Sequence, residues 1–192
     1  MVDLFKHLAR PFGYLYIKGV SGKVAYDWLL PTLLTILSFV YFYFSGLHFI
    51  DLIKDGGFIK TTSSFISNLP GFYIAALAAI ATFNREQIDY PLIGKSGTPF
   101  IEVTVVRENG TTINSKEDLT RRLFLCMLFA FLTALSIVIV MLNAFISPAL
   151  SISTNIVPHI IYATVFVFFT WQLLVSTFFG LYYLGDRIHM NF

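Results

Sequence analysis

Charge is scarce in this chain and cysteine almost absent. Only 12% of its 192 residues are Asp, Glu, Lys or Arg, against about 25% in soluble domains, while 56% are hydrophobic, with 21 Phe among them. That balance excludes an ordinary water-soluble domain. The single Cys126 rules out an intrachain disulfide framework, and its place in an apolar run disfavours the thiolate that a reactive cysteine needs. The net charge is only +2, so it points to no polyanionic partner, and direct nucleic-acid binding is not expected. Chemistry at motif spacing is also missing. Gly94-Lys95-Ser96 resembles the close of a phosphate-binding loop, yet the position that needs the first glycine is Asp89. Gly19-Val20-Ser21-Gly22 is not a nucleophile elbow, and the four His residues are scattered without paired metal spacing. No charged residue lies in the central part of any long apolar run. A proton-coupled pump, an aspartyl intramembrane protease and a voltage sensor all need such charges. The expectation is a protein that is not an enzyme and carries no cofactor and no metal.

What the chain has in abundance is long apolar runs. The clearest, Leu123 to Phe145, extends for twenty-three residues without a charge behind Arg121 and Arg122. As a helix it reaches about 35 Å, enough for a hydrocarbon core of about 30 Å. A second run, Trp28 to Ile50, has Asp27 available as a helix cap and Pro31 in its opening turn, where proline costs little. A third, Leu69 to Phe83, is shorter. Either Phe65 belongs to it and Pro70 kinks it, or Asn68 caps a shorter helix running on towards Gln87; a re-entrant segment is the alternative. The fourth, Val157 to Leu184, is long enough to tilt. The spacing predicts polar connections at 51–64 and a tight turn at 146–155 around Pro148.

The predicted fold is therefore an all-α integral membrane protein: four transmembrane helices with a small cytoplasmic β-hairpin insert between spans two and three. By segment, residues 1–27 form a basic, aromatic interfacial stretch lying on the membrane, and 28–83 hold spans one and two. Residues 84–122 form the insert, 123–184 hold spans three and four, and 185–192 form a tail. In the insert, Phe100 to Val106 alternates as a strand, Asn109-Gly110 is a strong hairpin turn and Thr111 to Ile113 returns. Ser115 with Asp118 reads as the cap of the third helix. Residues 1–27 lack the uninterrupted apolar core of a secretory signal, so the segment is expected to stay. The segments on the hairpin side hold eleven Lys and Arg, including Lys6, Arg10, Lys18 and Lys23, whereas the other side holds Lys54 and Lys60. The positive-inside rule then places both termini and the insert in the cytoplasm.

Two small-residue faces are candidates for oligomer contact. Gln172, Ser176 and Gly180 share one face of the fourth span, where a mid-span Gln should face protein rather than lipid. Gly71, Ala75 and Ala79 recur every four residues in the second. Arg107, Glu108 and Asn109, at the predicted hairpin tip, are candidates for docking a soluble partner.

The size, the four spans with both ends inside, and an insert containing TPFIEVTVVRENGTT make the chain similar to the KwaA-type membrane subunits of the bacterial Kiwa anti-phage system. That resemblance implies a homo-oligomer, plausibly a tetramer, in the bacterial inner membrane and in contact with membrane lipid. It also implies a sensor and anchor role in antiviral defence, with recruitment of a cytoplasmic KwaB-like effector. The layout alone leaves two other readings open: a stand-alone superinfection-exclusion or abortive-infection protein, including a pore-forming one, and a scaffold subunit of another envelope complex.

Overall fold

Lysine 23 begins a helical run that carries the first long apolar segment, so Pro31 sits well inside a helix and not in its opening turn. A proline there lacks the N–H that would bond the carbonyl four residues back, which is that of Asp27, and its ring crowds the same carbonyl. The chain accommodates it with a π-turn, Ala25–Leu29, before continuing as α1, Leu30–Phe44. The computed structural model describes residues 8–82, 88–92, 98–106, 112–153 and 155–187. Within them follow α2, Phe49–Ile53; α3, Phe58–Ile66; α4, Leu69–Thr82; the strands β1, Phe100–Val106, and β2, Thr112–Asp118; then α5, Arg121–Ile152, and α6, Ile156–Tyr182.

Among the described residues, four helices are long and apolar enough to cross a membrane: Ala25–Phe44, the composite Phe49–Thr82, Arg121–Ile152 and Ile156–Gly185. Helix α5 forms the centre. Phe124, Leu125, Leu128, Phe131, Leu132 and Leu135, at helical spacing along it, are buried, with α4 and α6 packed on its flanks and α1 against α6.

Several elements depart from their sequence-based expectation. The first apolar run breaks at Ser45 and Gly46, where Gly46 takes φ +68°, so Ile50 belongs to α2 and not to the first span. The 51–64 connection is largely helical. Its polar residues mask a buried set, Leu52, Ile53 and Ile59, so apolar spacing prevails over average polarity. Between α3 and α4 the chain turns at Ser67 and Asn68, and the Asn68 side chain donates to the Ser64 carbonyl (3.1 Å), closing α3 rather than capping α4.

The strands pair antiparallel from Phe100↔Asp118 to Val106↔Thr112. Ser115 to Asp118 are therefore strand and cannot start the third helix. Thr120 does so, its hydroxyl accepting from the Leu123 N–H (3.2 Å). At its far end α5 runs through Pro148 to Ile152, beyond the turn expected there, and Asn155 caps α6 by accepting from the Val157 N–H (3.2 Å). The Asn109-Gly110 turn lies outside the described residues.

Residues 10–17, part of the stretch expected at the interface, pack against the bundle. A 3-10 helix, Arg10–Tyr16, lies along the first turns of α5. Tyr14 stacks on Phe131 (centroids 5.1 Å apart) and meets Phe124, and Phe12 meets Phe131 edge-on (6.0 Å). Pro11, whose ring fixes φ, stands in the first turn of this helix. This stretch is called the strap below.

Candidate functional site

Inside the bundle, where the strap meets α5 and α6, lies an ion pair. Lys23 and Asp27 stand one helical turn apart, Nζ to Oδ2 at 2.5 Å, with Asp27 0% and Lys23 6% exposed. Asp27 caps nothing, since its helix starts a turn earlier. The other carboxylate oxygen accepts from the Tyr14 hydroxyl (3.1 Å), and Lys23 also donates to the Leu15 carbonyl (3.4 Å) while lying 4.4 Å from the centroid of the Tyr14 ring. An isolated charge would be intolerable at such a position. A close pair with further hydrogen bonds is the arrangement that survives.

The backbone of Asp27 is satisfied from far away. Because Pro31 offers no N–H, the Asp27 carbonyl takes its hydrogen bond from Gln172 Nε2 (2.9 Å), ten residues or about 15 Å of helix above the end of α6 at Tyr182. The Ser176 hydroxyl, fully buried, lies beside the Asp27 carboxylate without closing a hydrogen bond, and the buried Tyr26 hydroxyl beside that of Tyr14 is likewise without one. Tyr26 stacks on Phe179 (centroids 3.9 Å apart).

The predicted face Gln172, Ser176 and Gly180 is thus occupied within the chain. Gly180 sits where an added Cβ would be 3.1 Å from Leu128 Cδ2, against α5. Leucine at Gln172 should cost about 1–3 kcal/mol, because the Asp27 carbonyl is left without a donor. Thermal unfolding in detergent should show that loss with an unchanged oligomer mass; a lower mass at unchanged stability would put the face in a subunit contact instead. Gly71, Ala75 and Ala79 lie together on the exposed side of α4. Arg107, Glu108 and Asn109 lie outside the described residues.

The strap also reaches the sheet. Lys18 and Phe100 exchange two backbone hydrogen bonds (3.2 and 3.1 Å), and Lys18 Nζ meets Glu102 Oε1 at 2.9 Å. The hydrogen bond and charge of Lys18 hold the Glu102 carboxyl below its ordinary range. On the other side the Leu119 N–H donates to the Pro99 carbonyl (2.9 Å), the Leu92 N–H to the Leu119 carbonyl (2.8 Å) and the Arg121 N–H to the Tyr90 carbonyl (3.1 Å). Arg122 grips Asp89 with two nitrogens (2.6 and 2.9 Å) and donates to the Ile80 and Ala81 carbonyls at the end of α4. A cation on the last carbonyls of a helix complements its dipole. These bonds favour the ionised form of Asp89 and hold its carboxyl below the ordinary range, so the clamp is complete at neutral pH and is lost only as pH falls below the ordinary carboxylate range.

The Lys23–Asp27 pair was absent from the sequence expectations. Its signal was there in the i, i+4 spacing of opposite charges and in the proline four residues beyond the acid.

The fold and the site together define a helical protein of multi-pass membrane type with a buried ionic cluster and a small sheet at one end. No family model, curated protein or solved structure matches the chain.

Proposed function

We propose that the protein is a sensor and anchor subunit of an anti-phage defence complex in the bacterial inner membrane, of the kind that the Kiwa-like layout implies. It would hold a soluble effector at its sheet end. The supporting observation is the double tether of the sheet. Lys18 joins β1 to the strap, and the 90–92 and 119–121 segments join β2 to the start of α5. A two-stranded sheet is marginal alone; tied at both sides it becomes a fixed platform, and a displacement in the bundle is carried to whatever rests on it. Copies would meet through the exposed Gly71, Ala75 and Ala79 side of α4, whose small residues permit close helix approach. Arg107 and Glu108 would offer charge complementarity to the partner.

The test is co-purification from membranes with the soluble product of the adjoining gene. The parent should retain that protein, and the double reversal Arg107→Glu with Glu108→Arg should retain severalfold less at unchanged membrane insertion. Equal recovery would move the docking site off these residues. No recovery with the parent would overturn the anchor reading.

A further inference from the structure

Residues 10–18 join the bundle to the sheet, and the way they are held sets them apart from the helices. The strap's only regular structure is seven residues of 3-10 helix, whose hydrogen bonds are poorer than those of an α-helix. A short turn follows it, with Gly19 at φ +87° and Gly22 at φ +76°, a backbone that other residues rarely adopt. Beyond that turn the Lys23–Asp27 pair lies wholly on one helix, so it can close whether or not the strap is in place.

What the strap gives the pair is two groups: the Tyr14 hydroxyl on Asp27 Oδ1 and the Leu15 carbonyl on Lys23 Nζ. Beside the cluster stand two buried hydroxyls that close no hydrogen bond, that of Ser176 next to the Asp27 carboxylate and that of Tyr26 next to the Tyr14 hydroxyl. An unpartnered buried hydroxyl is costly. Were Tyr14 to withdraw, Ser176 would be a replacement donor to Asp27, which gives the polar groups of the cluster a second arrangement.

We infer that the strap is a latch: Tyr14 is seated on the Lys23–Asp27 pair in the arrangement seen here and can leave it by pivoting on the Gly19–Gly22 turn, releasing the hold of Lys18 on β1. This inference needs no partner protein and stands or falls separately from the anchor reading. It makes the state of a buried ion pair legible at the sheet, through the four residues between Lys18 and Lys23.

The test reads the burial of Ile17, a strap side chain only 5% exposed. In a Cys126→Ala background, Ile17→Cys is labelled with N-ethylmaleimide in native membranes, and Leu125→Cys, fully buried on α5, serves as the reference. Tyr14→Phe keeps the ring stack and removes one hydrogen bond to a charged group, and should speed labelling at position 17 by about tenfold. Lys23→Met and Asp27→Asn should each do the same or more. The double variant Lys23→Met with Asp27→Leu removes the acceptor of the Tyr14 hydroxyl and the donor to the Leu15 carbonyl together, and should label at least as fast as Tyr14→Phe. Labelling at position 125 should stay slow throughout. The latch is overturned if the single variants label at the parent rate, if the double variant labels at the parent rate, or if position 125 opens in step with position 17.

Discussion

Alanine at Asp27 should lower the stability of the protein by about 3–5 kcal/mol, the cost of leaving a buried charge without its counterion. Lys23 is 6% exposed, and among the described residues its other polar acceptor is the Leu15 carbonyl at 3.4 Å. Once the carboxylate is gone, the buried ammonium is left without its counterion. The Tyr14 hydroxyl loses its acceptor as well. Thermal unfolding of the purified protein in mild detergent measures this, and the paired replacement of Lys23 by Met and Asp27 by Leu should recover most of the loss. A single alanine variant as stable as the parent would mean that water reaches the pair.

Phe131→Ala should follow closely, at about 3–5 kcal/mol for a large buried ring. Phe131 is the wall against which the strap is seated, stacked on Tyr14 and met edge-on by Phe12. Its removal opens a cavity between α5 and the strap. Phe131→Leu keeps most of the volume and should cost only about 1–1.5 kcal/mol. A calorimetric or thermal-shift series over the two variants separates the outcomes: equal small losses would show that the strap collapses into the gap.

The helical content was legible wherever composition alone decides. Leu123 to Phe145 has no charge and no glycine, so nothing competes with the helix that α5 forms. The alternation from Phe100 to Val106 marked β1 for the same reason. Errors arose where a distant residue decides the local outcome. Asp27 read as a cap because it precedes an apolar run; its actual role depends on Gln172, 145 positions away, and on Tyr14 arriving from the other direction. The 51–64 stretch read as a loop because Lys54, Asp55, Gly56 and Gly57 dominate its average, whereas Leu52, Ile53 and Ile59 decide its packing. Ser115 and Asp118 fit a capping pattern, but the ladder to β1 claims both, and the buried Leu119 then separates strand from helix. The Gln172 face was correctly read as seeking protein; sequence spacing could not say that the protein would be its own first helix.

The separation of Asp27 from Gln172 also sets an order of events during synthesis. At about 5–20 residues per second, some 7 to 30 seconds pass between the emergence of the first helix and that of the amide that completes it. For that interval the nascent first helix carries a carbonyl with no donor where Pro31 has removed one. Its Lys23–Asp27 pair also lacks the α5 and α6 walls that enclose it in the finished protein. The first helix cannot reach its final seat as it is made; it must wait, and α6, synthesised long after it, brings it home.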